Sequence, residues 1–166
     1  MKGYLHLTLT DNKQRVLVRR SGGNAVMRSG GELIARLFSG AGAGITHMGV
    51  GTNDAVNTDD YGITALSNEA VGDIPALEGE TETAIAADVF TIVPDDIKRV
   101  ITVMLRATLP ATAAVGTIRE AGLLSISGDE RSLYNRIVFD PVVKGDDHDL
   151  TMFWEVSFPY GDLQWF

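Results

Sequence analysis

Five stretches with strand chemistry, separated by turn signals, fill the second half of this chain and restrict it to a mainly β fold. They are Val89–Val93, Arg99–Leu109, Thr117–Ser125, Ser132–Phe139 and Asp149–Phe158. Between them lie Pro94-Asp95-Asp96, Pro110, Ser127-Gly128-Asp129 and Lys144-Gly145-Asp146-Asp147. Proline presets φ for a turn, while glycine and aspartate tolerate the conformations that turns need. Closely spaced strands with such connections argue for antiparallel pairing, and a jelly-roll-like β-sandwich is the expected form.

The first half is more mixed. Tyr4–Thr10 alternates apolar and polar residues, Asp11-Asn12 supplies a turn, and Gln14–Arg19 reads as the returning strand of a hairpin (about 3–20). The basic residues flanking it suit an exposed edge. One short helix is expected near residues 30–39: Ser29 and Glu32 have capping-box spacing. Leu33, Ile34, Leu37 and Phe38 form a one-sided stripe, and Gly40 ends it. A glycine-rich run from Gly40 leads into a strand near residue 50. A long acidic stretch from Asn53 to about Asp88 reads as loop, with a short strand near Ile63–Leu66. A loop of that length is usually functional or covered by a partner.

With 166 residues, 45% apolar and 22% charged, the chain is expected to be one folded domain spanning 1–166. No apolar run approaches the roughly 20 residues that span a bilayer, so no membrane partner is expected. The alternating N-terminus lacks the continuous apolar stretch of a signal peptide, which points to assembly in the cytoplasm. The absence of cysteine excludes disulfides, thiolate nucleophiles and cysteine-bound zinc. Charge is unevenly placed: residues 1–36 carry seven Lys or Arg against two acidic residues, the rest seven against twenty. A basic segment on an acidic body fits contact between copies better than binding to nucleic acid, whose phosphates the body would repel.

No pattern supports catalysis. Gly40-Ala-Gly-Ala-Gly44 has the wrong spacing for a dinucleotide loop and follows a helix. His6, His47 and His148 form no ligand pair, and neither Ser67 nor Ser125 sits in a nucleophile elbow. Asp146-Asp147-His148-Asp149 and Asp54…Asp59-Asp60 do not match a calcium loop and read as solvated turns, although a divalent cation there would be the one conceivable cofactor. Arg119 and Glu120 point to opposite faces of one strand and each needs a partner, for which Arg136 and Asp140 are candidates.

Gly44–Thr52, Thr64-Ala-Leu-Ser-Asn-Glu69, Gly116–Leu124, Leu133–Val142 and Leu150–Phe158 together resemble small β-sandwich structural proteins of tailed bacteriophages and related contractile injection systems. The resemblance covers roughly residues 31–158. It implies a non-enzymatic virion subunit of the tail, neck, collar or baseplate–fibre region, whose partners are its own copies and neighbouring virion proteins, with no small-molecule substrate. A capsid decoration (cement) protein and a fibre-associated receptor- or glycan-binding module are the alternatives. The basic hairpin and the aromatic tail 159–166 depart from the family's pattern. Interfaces favour Trp, Tyr and Arg, so Arg15, Arg19, Arg20, Tyr160, Trp165 and Phe166 are the expected contact residues.

Overall fold

The computed structural model describes residues 2–161. Trp165 and Phe166 therefore lie outside the described residues. The fold is mainly antiparallel β with one α-helix, as the strand pattern predicts. A single nine-stranded sheet, ordered β4-β3-β7-β8-β2-β1-β9-β6-β5, curls into a half-barrel.

The layer built from the chain's beginning and end is the more regular. Strand β1 (Lys2–Thr10) lies between β2 (Val16–Val26) and β9 (Asp149–Pro159). Beyond β9 come β6 (Val100–Leu109) and β5 (Thr91–Asp95). Strict alternation puts Leu5, Leu7 and Leu9 inside, opposite Trp154, Met152 and Leu150 of β9. Each such side chain, at most 1% exposed, contributes about 1.5–3 kcal/mol. The basic hairpin β1–β2 thus starts within the sheet and not on its rim, because the apolar register of β1 needs covered neighbours on both sides.

The second layer is β4 (Glu82–Ala84), β3 (His47–Gly51), β7 (Gly116–Ser127) and β8 (Glu130–Lys144). It joins the first only where Ala25 and Val26 of β2 pair with Arg136 and Asn135 of β8. Met48, Val50, Ile118, Leu123 and Ile137 from this layer share one core cluster with Leu5, Leu105 and Trp154 from the other. The two faces of the expected sandwich are thus two halves of one curled sheet.

The helix α1 (Arg28–Phe38) begins one residue before the predicted cap. Met27 occupies the cap position without a side-chain bond, Ser29 Oγ instead donates to the Leu133 carbonyl (2.6 Å), and Glu32 pairs with Arg28. The capping box does not form because Ser29 is used to tie the helix to β8. The end follows expectation: Gly40, at φ +75°, and Ala41 donate back to Leu37 and Arg36, closing a Schellman turn. The apolar stripe is only partly covered, with Leu33 buried and Phe38 94% exposed.

Two other expectations fail. Ile63–Leu66 forms no strand; both side chains pack as loop residues against Met27, Leu124 and Leu133. The short strand of this region is Glu82–Ala84, which gains its ladder from β3 and not from any β propensity of its own. Val89 belongs to a 3-10 turn, Ala87–Val89, so the strand expected from it starts at Thr91.

Helix and sheet meet backbone to backbone at Gly30, where a Cβ would stand 2.0 Å from the Tyr134 carbonyl oxygen, whereas one at Gly31 would meet nothing within 4 Å. Gly30→Ala is expected to destabilise by about 1–3 kcal/mol or more through overpacking. Gly31→Ala should instead be neutral or stabilise by up to about 1 kcal/mol, since it replaces a poor helix former at no steric cost. Urea unfolding of the two variants beside the parent protein measures both.

Candidate interaction surfaces

The acidic loop is fastened to its own sheet. Glu120 of β7 and Arg136 of β8 point out of the second layer and form an ion pair at 2.5 Å, with neither side chain exposed. Arg136 also donates to the carbonyls of Ala55 (2.8 Å) and Asn53 (3.1 Å) and to Asn57 Oδ1 (3.0 Å). Glu120 accepts the Ser67 N–H at 2.8 Å, and Thr52 Oγ1 donates to the Ser67 and Glu69 carbonyls. Arg136 was a predicted partner for Glu120. Arg119, at the break in the β7–β8 register beside Glu120, pairs with Asp54 of the same loop and not with Asp140. Asn68 adds a two-sided bond to the Leu77 backbone. The loop thus covers the sheet of its own chain.

The expected contact residues have diverse surroundings. Arg15 is exposed but engaged at 2.7 Å by Asp11, whose carboxylate also accepts the N–H groups of Lys13 and Arg15. These bonds, the Arg15 backbone N–H first, hold the Asp11 carboxyl below its usual range. Arg20 spans the place where β2 parts from β8, donating to the Asp140 (3.3 Å), Pro141 (3.4 Å) and Arg19 (2.9 Å) carbonyls. Arg19 is exposed on the outer face of the first layer. Tyr160, 38% exposed, donates its N–H to the Arg99 carbonyl and its hydroxyl to Asp96 (2.6 Å), which raises the phenol's pKa. The structure does not gather these four residues into one patch: Arg15 and Arg20 brace β1–β2, and Tyr160 seals the β5–β6 turn.

The histidines are dispersed. His6 contacts Ser21 Oγ and stands between the rings of Tyr4 and Phe153, with centroids at 4.9 and 6.1 Å. His47 bonds Thr46, and His148 accepts the Gly145 N–H. Among the described residues no three His, Asp or Glu side chains converge on a point that could hold a metal ion. The acidic turn has a different positive partner: Lys144, 1% exposed, donates to the Ala111 carbonyl at 2.9 Å. Burial pulls its ammonium pKa down, and Asp149, Asp146 and Asp147 oppose that shift. Asp60 is capped by Thr58 and the Gly62 N–H.

Two features were not recognised in the sequence. One is an apolar slot of about 200 Å³ between the layers, lined by Leu33 and Leu37 of α1, Phe90, Leu105 of β6, and Val156 and Phe158 of β9. Tyr134 also lines it, and burial pushes its phenol to about 12. The helix stripe was the available signal, since it is wider than the helix buries. The other is the β5–β6 hairpin at the open side of the half-barrel, where Ile92 is 67%, Val93 41% and Ile97 97% exposed. No family model, curated protein or solved structure matches the chain.

The ion pair and Asp11 give opposite chemical signatures. Glu120→Ala leaves a buried guanidinium uncompensated and is expected to cost about 3–5 kcal/mol in denaturant unfolding. The Glu120→Leu/Arg136→Met double variant should cost markedly less than the two single changes added together. Asp11 has a depressed folded-state pKa, so its stabilisation is complete above the unfolded value of 3.8 and is lost as pH falls through the lower folded value. Asp11→Asn should therefore reduce the loss of thermal stability on acidification below pH 3.8, relative to the parent protein.

Proposed function

We propose that this chain is a non-enzymatic structural subunit of a tailed-phage particle or a related contractile injection device, in its tail, neck, collar or baseplate–fibre region. It works by multivalent association with its own copies and with neighbouring virion proteins. The observation that carries this reading is the half-barrel's open side. There the edge strand β5 and the following turn present Ile92, Val93 and Ile97 to solvent. Exposed apolar side chains on an unpaired strand edge are what a partner surface would cover, since such edges are otherwise protected. The motifs that resemble those of phage β-sandwich proteins support the same reading, and so does the rigid body formed by the stapled loop.

A second reading, the fibre-associated glycan-binding module, is favoured by one feature. The outer face of the first layer carries the ring strip Tyr4–His6–Phe153, with Tyr4 42% exposed and Arg19 and Arg106 nearby in register. Aromatic faces beside polar groups suit sugar stacking. A glycan array separates the readings: selective, millimolar or tighter binding that disappears in Tyr4→Ala would favour this one.

Sedimentation and electron imaging of the purified protein at about 10–100 μM should reveal a closed oligomer, a ring if the contacts are head to tail. Ile97→Asp, a fully solvated change, should weaken association at least tenfold without altering the fold. A protein that stays monomeric throughout this range, alone and with proteins of the same gene cluster, would contradict the assembly role.

A further inference from the structure

The exteriors of the two layers carry complementary chemistry. On the first layer, the alternation that turns Leu5, Leu7 and Leu9 inward turns Tyr4, His6 and Thr8 outward. The register sets Arg19 of β2 beside Thr8, and Phe153 of β9 between His6 and Arg106 of β6. This face therefore presents the ring strip Tyr4–His6–Phe153 between two guanidiniums, three strand spacings or about 14 Å apart across the sheet. Both arginines are exposed, and among the described residues neither forms an ion pair. Glu155, in the row of Tyr4 and Met104, offsets one of the two charges but pairs with neither.

The exterior of the second layer is the acidic loop. Residues 53–81 hold seven Asp or Glu and no Lys or Arg. Of these carboxylates only Asp54 has an ion-pair partner among the described residues, Arg119. Asp59 and Glu69 are exposed, and on either side of Asp59 in the chain Val56 is 81% and Tyr61 46% exposed. Arg28, whose N–H donates to the Tyr61 carbonyl, is matched by Glu32. The loop is stapled through Arg136 and Glu120, so its charges stand in place before any partner arrives and little ordering cost opposes contact.

Each exterior thus offers what the other lacks: cations beside aromatic rings on one, carboxylates beside exposed apolar groups on the other. Copies of a chain with net charge −8 repel one another overall, and they meet with least repulsion where unlike faces come together. We infer that the ring-bearing face of one copy seats on the acidic loop wall of a second copy, Arg19 and Arg106 against its carboxylates, Tyr4 and Phe153 against Val56 and Tyr61. The inference rests on the association reading above and specifies which surfaces meet. Two different faces in contact make a head-to-tail joint, the kind that closes rings.

The test is sedimentation of the full-length protein at about 10–100 μM and low salt, where exposed charges are least screened. Arg19→Glu/Arg106→Glu and Asp59→Lys/Glu69→Lys should each associate at least about tenfold more weakly than the parent, since like charges then face each other. Circular dichroism should stay unchanged, because all four side chains are exposed and none forms an ion pair among the described residues. Mixed one to one, the two variants should regain association: the reversed face of one then meets the reversed wall of the other, and the remaining joint is the native one. Variants that associate as the parent does would overturn the contact and leave standing the association reading, which rests on β5. A loss in only one variant, or a mixture that stays weak, would overturn it too, since the two faces then do not meet each other. A parent that is monomeric throughout would overturn both.

Discussion

The Glu120–Arg136 pair is the constraint around which the second layer is organised. Removing two full charges from water costs several kcal/mol for each ion, and their mutual attraction alone seldom restores it. Here the balance is completed by the loop, whose backbone carbonyls at Asn53 and Ala55 and N–H at Ser67 satisfy most of the remaining donors and acceptors. The relation runs both ways: the loop needs the pair to give its polar backbone partners, and the pair needs the loop to be buried without loss. Leu66, beside Ser67, then packs on Leu124 and Leu133, so the polar clamp also positions an apolar contact. A segment rich in Asp, Asn and Gly, with little propensity for any regular structure, thereby becomes a fixed wall of the molecule.

Where local pattern and final environment agree, the sequence was legible. The alternation in β1 gave a strand whose inward residues, Leu5, Leu7 and Leu9, are those buried, because period two and burial on one face are the same fact. The partner of Glu120 could be named because a charge interrupting an apolar strand demands compensation. Legibility failed where distant chain segments competed for the same group. Ser29 has every local reason to cap α1, yet the Leu133 carbonyl, 104 residues away, takes its hydroxyl. Glu82–Ala84 has no strand signature and becomes one by lying beside β3. The slot was invisible because it is lined by residues from α1, β6, β7, β8 and β9, and no single stretch records their convergence.

The charge asymmetry also changed meaning once partners were visible. The basic beginning of the chain looked like a patch for an acidic neighbour, but Arg15 is tied to Asp11 and Arg20 bridges two diverging strands. Arg20 acts as a strut there, its planar fork reaching two successive carbonyls that no strand pairs. The carboxylates after Lys144 likewise serve an internal cation. Several charges that seemed to be addressed outward therefore serve internal fit.

The adjacency of β1 and β9 has a consequence for the order of events in the molecule's formation. Lys2 pairs with Ser157 and Thr10 with Asp149, so β1 waits for a strand that is made long after it. During synthesis Leu5, Leu7 and Leu9 can meet β2 early, but their opposite neighbours emerge only after most of the chain has been built. Contacts of such sequence separation slow folding and prolong the exposure of apolar strand faces. A ribosome stalled before residue 149 would hold a chain whose central strand has one bare side. Completion of the half-barrel is thus a late event that waits for residues 149–159.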